Sequence, residues 1–141
     1  MLGLYYRIWV DAIVRARSIP ANKNNWASTT MIFMSLAMML NLILGMTMLQ
    51  KYILGYYFYY IELVFLPRYL ANVVSGIILF IIPCVLINYF LIFHKERYHK
   101  LIKKYPYSDG KFFLTYFFIS MLLPLILLFG GILLGKIKLG Y

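Results

Sequence analysis

Long apolar blocks alternate with shorter polar or aromatic stretches along this chain. Each block is about 20 residues long, the length that an α-helix needs to cross the hydrocarbon core of a bilayer. The three blocks are 29–50, 71–93 and 112–134. An aromatic stretch, 51–69, follows the first block, and a basic stretch, 94–111, follows the second. The pattern predicts an all-α integral membrane protein, a single membrane domain over residues 1–141 with three transmembrane helices.

The composition is that of a membrane protein rather than a soluble one. Hydrophobic residues make up 64% of the 141 residues and charged residues only 13%. The chain therefore has too little polar surface to cover a soluble globule of this size. The lone cysteine, Cys84, lies within an apolar block, and a single cysteine excludes an intrachain disulfide.

The N-terminal residues 1–19 have the spacing of an amphipathic helix. Apolar residues recur on one face, at Leu4, Ile8, Trp9, Ala12, Ile13 and Ala16. Arg7, Asp11 and Arg15 recur every four residues, so each arginine is predicted to pair with Asp11 one turn away. We expect the helix to lie in the headgroup plane of the membrane, because its apolar face carries Trp9. The alternative is that it packs against parts of its own chain or of a partner subunit.

The aromatic stretch 51–69 contains eight aromatic residues, and its only charged residues are Lys51, Glu62 and Arg68. Tyrosines at this density favour the membrane interface, where the ring lies among headgroups and the hydroxyl reaches water. We predict an interfacial or shallow re-entrant helix on the outer side of the membrane. The alternative is a loop whose aromatic side chains pack against the ends of the spans, with Glu62 and Arg68 as a surface ion pair.

Polar groups and prolines define a candidate site near the middle of the bilayer. Small, soft and polar residues of the first block form one helical stripe, made of Met34, Ala37, Met38, Asn41, Gly45 and Met48. Asn41 lies at a similar depth to Pro83 of the second block and Pro124 of the third. Each proline frees a backbone carbonyl, which needs a partner inside the membrane. The candidate midplane polar site therefore comprises Asn41, Pro83, Ser120 and Pro124.

Two interpretations of this site remain open. In the first, Asn41, Ser120 and the freed carbonyls line a small cavity that holds an ion or a lipid headgroup. In the second, Asn41 joins two helices by a hydrogen bond and the site is structural. In either case, small residues on all three spans exceed what three short helices can bury among themselves. We therefore expect partners, either other membrane protein subunits or further copies of this chain.

The basic stretch 94–111 determines the predicted orientation. It carries six Lys and Arg residues, which are costly to translocate, so it belongs on the cytoplasmic side. Together with the N-terminal region that side has ten basic residues, against four in the aromatic stretch and the tail. The N-terminus is thus predicted to be cytoplasmic and the C-terminus outside, in a cytoplasmic (inner) membrane. Predicted contacts to anionic phospholipids are Arg15, Arg17, Lys95, Arg97, Lys100, Lys103 and Lys104.

Residues able to carry chemistry are few and scattered. His94 and His99 fall on different faces of a helix, and no acidic or cysteine cluster completes a metal site. No nucleophile has a base at a recognisable spacing, so we predict no catalytic residue, no metal and no cofactor. The net charge of +10 flanks apolar blocks instead of forming one face, which disfavours nucleic acid as a partner. An enzyme acting alone is disfavoured, whereas a lipid-modifying subunit that shares its site with a partner stays open.

Two short motifs occur in the apolar blocks. Met34 and Met38 form MxxxM in the first block, and Gly131 and Gly135 form GxxxG near the end of the third. A three-span chain with these motifs resembles the copper transporter family, and the resemblance implies Cu(I) transport through methionine ligands. It covers only these four residues. The chain departs from the family's pattern, because its MxxxM lies in the first span instead of the second and its outer stretch is rich in tyrosine instead of methionine.

These patterns predict a role in assembly rather than in chemistry. We expect a non-catalytic accessory or scaffolding subunit of a larger membrane protein complex. The alternative is a small transporter or lipid-handling protein that uses the midplane site as a cavity.

Overall fold

The structure is a computed structural model that describes residues 2–56, 61 and 64–133. Every regular element among these residues is helical. We number their α-helices α1 (Leu2–Ser18), α2 (Trp26–Leu49), α3 (Arg68–Gly76), α4 (Ile82–Asn88), α5 (Arg97–Lys104) and α6 (Lys111–Leu133). The predictions that concern residues 57–60, Glu62, Gly135 and the tail 134–141 lie outside the described residues.

Two long apolar helical segments dominate the described structure. A π-helical turn, Gln50–Leu54, extends α2, so that the first segment runs over Trp26–Leu54 and has 29 residues. The second, Arg68–Lys104, has 37 residues and joins α3, α4 and α5 through short π-helical and 3₁₀ turns. Both are long and apolar enough to cross a membrane. The apolar helix Lys111–Leu127 within α6 is shorter, so the third span remains a prediction.

The π-helical turn Ile77–Ile81 is explained by the proline that follows it. Pro83 has no N–H, so the carbonyl of Leu79 loses its helical partner and the ring crowds the preceding turn. The widened turn accommodates this ring, and the N–H of Ile82 bonds to the carbonyl of Ile77, five residues earlier. A proline in this segment therefore changes the helix locally without ending it.

The long second segment bends sharply within the basic stretch. Lys95 and Glu96 have φ angles of 53° and 54°, in the left-handed region that non-glycine residues seldom adopt. The bend directs α5 back against the other helices, so that Tyr98, Leu101 and Ile102 pack on the core. The basic stretch thus forms an amphipathic helix whose apolar face is covered by the rest of the protein. We call the end of the molecule that carries residues 94–111 the basic end.

The N-terminal helix α1 contributes most of the buried core cluster. All six residues from Ile8 to Ile13 are buried, which means that this part of α1 is covered around its full circumference. It packs against α2, α5 and α6. Of the two predicted positions for this helix, packing against its own chain is the one that the structure shows, and its position relative to the headgroups stays a prediction. The polar side of the helix is covered as well, because Asp11 is buried and hydrogen-bonded.

The half of the molecule away from the basic end is much less densely packed. In α6, Ser120 is buried, whereas the residues after it are mostly exposed, namely Met121, Leu122, Leu123, Leu125, Ile126, Leu127 and Phe129. Gly45, Met48 and Leu49 at the end of α2 are exposed as well. We call this region, α2 from Gly45 and α6 from Met121, the open half.

Candidate functional site: buried polar contacts around α1 and α2

A buried asparagine, Asn88, joins three helices near the basic end. Its side chain is fully buried at the end of α4. Its Nδ2 donates to Ser35 Oγ on α2 at 3.0 Å, and its Oδ1 accepts a hydrogen bond from the Tyr5 hydroxyl on α1. Tyr5 also lies 3.8 Å from the sulfur of Met38. Both ends of the Asn88 amide are therefore satisfied inside the protein, as burial of an amide requires.

A second asparagine, Asn41, joins α2 to α6. Its Nδ2 lies 2.8 Å from Ser120 Oγ and 3.3 Å from the Tyr116 hydroxyl. Ser120 is buried and Asn41 is half-buried. The structure thus brings together two residues of the predicted midplane site. Tyr116, one helical turn before Ser120, is a third member that the sequence pattern did not indicate.

The two prolines of the predicted site contribute through the backbone. Pro124 lies four residues after Ser120 and has no N–H, so the backbone carbonyl of Ser120 loses its helical hydrogen bond. The side chain of the same serine binds Asn41. Pro83 affects the carbonyl of Leu79 in the other apolar segment, next to the π-helical turn. Both prolines are half-buried. Asn41, Ser120 and Pro124 thus belong to one contact between α2 and α6, and Pro83 belongs to the α3–α4 segment.

The buried aspartate, Asp11, holds the basic stretch against α1. Its side chain is fully buried, and its carboxylate oxygens accept hydrogen bonds from the backbone N–H of Ser108 at 2.7 Å and of Phe112 at 3.0 Å. Phe112 is in the first turn of α6, where backbone N–H groups lack helical partners and the helix dipole favours a negative charge. Asp11 of α1 therefore caps the N-terminus of α6, a helix that is distant in the sequence. The predicted pairing of Asp11 with Arg7 and Arg15 gives way to these backbone partners.

Two arginines of α1 bind neighbouring elements of the basic end. Arg15 Nη1 donates to the carbonyl of Asp109 at 3.4 Å, and its side chain lies on Gly110 so closely that a Cβ there would be 2.6 Å from Arg15 Cδ. The guanidinium of Arg17 lies 3.9 Å from the centre of the Trp26 ring, a cation–π contact. The other predicted lipid contacts, Lys95, Arg97, Lys100, Lys103 and Lys104, are exposed on and beside α5.

Burial changes the ionisation of Tyr5 on α1. It raises the pKa of the hydroxyl to about 12. Trp9, on the same helix, is fully buried, and its Nε1 makes no hydrogen bond within the described structure. Tyr5 is thus a neutral donor to Asn88 at physiological pH and supplies no acid or base.

Met34 and Met38, the methionines of the MxxxM motif, both pack against other side chains of the protein. Met34 is fully buried in the core cluster around Trp9, and the sulfur of Met38 lies 3.8 Å from the hydroxyl of Tyr5. Among the described residues, no three His, Cys, Asp or Glu side chains come together as metal ligands. The contacts described above consist of amides, hydroxyls and one carboxylate that bind one another or the backbone. Their chemistry is that of structural hydrogen bonds.

A cavity of about 90 Å³ lies at the basic end, away from Asn41. Residues of α1, of the link after it, of α2 and of α6 line it, among them Ala12, Arg15, Thr29, Phe33 and Phe113. None of the four residues of the predicted midplane site lines it. This cavity therefore lies at the boundary between the basic and apolar parts of the chain.

Sequence reasoning missed Tyr5, Asn88 and Tyr116 as interior partners. Asn88 had a readable signal, because it is an amide within a predicted span. Tyr5 had none, since its partner is 83 residues away. No protein-family model matches the chain, and comparison with curated proteins and with solved structures finds no significant match.

Proposed function

We propose that the protein is a non-catalytic accessory or scaffolding subunit of a larger protein complex in the cytoplasmic membrane. In this proposal it crosses the membrane three times, with the basic end in the cytoplasm. The proposal is supported by the contrast between the two halves of the molecule. The half at the basic end holds the buried, hydrogen-bonded residues of α1, and the open half presents apolar side chains and small residues outward.

The internal bonding argues for a structural role. Asn41 and Asn88 each bind side chains from neighbouring helices, and Asp11 binds backbone amides. A transport or catalytic site needs polar groups that are free to bind a substrate. In the described structure these groups bind one another or the backbone, which supports a role in holding the helices in place.

The open half supports the proposal, because it has exposed small and apolar residues against which a helix of a membrane partner can pack. Helix association in membranes depends on close packing and on small residues rather than on burial of apolar area. At Gly45 and at Gly130, an added Cβ would meet no atom within 4 Å, so both positions are open to close approach by another helix. Ile126 and Phe129, which precede Gly130 along α6, are exposed apolar side chains, at 62% and 60% exposure.

The proposal is tested by site-specific photocrosslinking in native membranes. A photoreactive residue at Ile126 or Phe129 should give one discrete crosslinked protein product, which is then identified by mass spectrometry. Phe90 is a matched control, because it is a similarly exposed aromatic residue, at 54%, near the basic end. Products containing lipid alone at all three positions would contradict the proposal.

A further inference from the structure

The cavity at the basic end has the composition of a lipid site. Most of its surface is apolar, with Ala12, Ala16, Ile19, Phe33 and Phe113 in the lining, and Arg15, Asn22, Thr29 and Thr30 complete it. Its volume of about 90 Å³ is smaller than the roughly 150 Å³ cavity that admits benzene. It therefore has room for a segment of a hydrocarbon chain rather than for a whole small molecule.

The cavity is placed where the glycerol region of a lipid would lie. Thr29 is in the first turn of α2, which begins at Trp26, and Phe113 is in the first turn of α6, which begins at Lys111. These two turns are the points at which the chain changes from polar links to apolar helices. An occupant would therefore have its polar part toward the links and its apolar part along the helices.

Arg15 is held in position to bind an anion. Gly110 has a φ angle of 73° and no side chain, and Arg15 fills the space over it. One of the guanidinium's five N–H groups is used by the carbonyl of Asp109, at the long distance of 3.4 Å. A guanidinium with donors remaining, fixed beside an apolar cavity, is suited to a phosphate group that carries an acyl chain.

We propose that this cavity binds one anionic phospholipid, with its phosphate on Arg15 and the upper part of an acyl chain against Phe33 and Phe113. The chain has 14 Lys and Arg residues against four Asp and Glu residues, which favours an anionic headgroup over a zwitterionic one. A free phosphate ion would gain nothing from the apolar walls, so the acyl chain is part of the recognition. The inference does not depend on the proposed subunit function.

The test uses the full chain purified in a mild neutral detergent. Native mass spectrometry and thermal unfolding are measured with phosphatidylglycerol, phosphatidylcholine or inorganic phosphate. One phosphatidylglycerol should bind and stabilise the protein, and the other two additives should have much weaker effects. The Arg15→Gln variant should lower the affinity for phosphatidylglycerol about tenfold, since a charge-assisted contact is lost. Thr29→Phe, which fills the cavity but keeps the charge, should lower it as well.

The control is Arg7→Gln, which removes an exposed charge of the same helix outside the cavity. It should leave the affinity within about twofold of the original, the change expected for a screened surface charge. Equal losses for Arg7→Gln and Arg15→Gln would show general attraction to the basic surface and overturn the site. Equal stabilisation by inorganic phosphate would show an ion site, and undiminished binding to Thr29→Phe would exclude the cavity. Unfolding without lipid, measured for each variant, identifies any loss of the fold itself.

Discussion

The carboxylate of Asp11 provides the sharpest test of how the basic end is held together. It is fully buried and accepts two backbone hydrogen bonds, of 2.7 and 3.0 Å, from the segment that leads into α6. Asp11→Asn keeps the shape of the side chain but removes its charge and replaces one acceptor oxygen with an NH₂ group. That NH₂ group would then face an N–H of Ser108 or Phe112, so one donor would be left without a partner.

The size of the effect follows from these two bonds. Hydrogen bonds to a charged group contribute about 1.5–3 kcal/mol each, and a buried donor without a partner costs about 1–3 kcal/mol. One bond is lost and the other becomes a neutral one, so we expect Asp11→Asn to lower the free energy of unfolding by about 2–4 kcal/mol. The measurement is unfolding in mixed micelles with increasing denaturing detergent, followed by the fluorescence of buried Trp9, two residues away.

Two control variants distinguish the loss of this cap from the loss of a surface charge or of an ion pair. Asp109→Asn removes a carboxylate from the same segment, and asparagine tolerates the left-handed φ of 57° at this exposed position. It should change the free energy of unfolding by less than about 0.5 kcal/mol. Arg7→Gln should also have little effect, whereas an Arg7–Asp11 ion pair would make it costly. If Asp11→Asn is no worse than Asp109→Asn, the reasoning from the cap is refuted.

Two further predictions concern the α2–α6 contact and the orientation. Asn41→Leu removes the hydrogen bonds to Ser120 and Tyr116. Such bonds in membranes average only about 0.6 kcal/mol and reach about 1.7 kcal/mol. The variant should therefore insert and assemble normally, and its free energy of unfolding in detergent should fall by an amount of this size. If it instead assembles and keeps its stability but loses all cellular function, a ligand site at Asn41 becomes the better account. In a Cys84→Ser background, cysteines at exposed Lys100 and Val64 should differ in labelling of intact cells by an impermeant thiol reagent, with Val64 labelled. Labelling at Lys100 alone would reverse the predicted orientation.

The sequence was sufficient for the all-helical fold and for the two long apolar helices. Both follow from the length and composition of the apolar blocks, which are local properties. The position of α1 could not be predicted in the same way. Periodicity shows which residues of a helix share a face, but it does not show what covers the other face. Its polar face is covered because Asp11 meets backbone amides of a segment 97 residues away.

The residues of the candidate site could likewise be predicted only in part. Asn41 and Ser120 were predicted as neighbours because their depths in the membrane can be counted along each helix. Tyr5 could not be paired with Asn88, since nothing in the N-terminal pattern indicates that α1 enters the core. The aromatic contacts of Tyr98 could not be predicted for a similar reason, because Tyr98 meets Trp26 and Phe93 only through the bend at Lys95 and Glu96.

The position of α1 also explains why the buried core residues are concentrated at the basic end. At the basic end α1 packs against α2 and α6 and binds the end of α4 through Tyr5, so it occupies the space between them. Helices packed around a fourth helix are held about 8–10 Å from its axis. Because α1 has only 17 residues and its Tyr5 end binds near Asn88, it cannot fill the space between the same helices further along. The residues of α6 after Ser120 therefore lie beyond the part of the molecule that α1 covers.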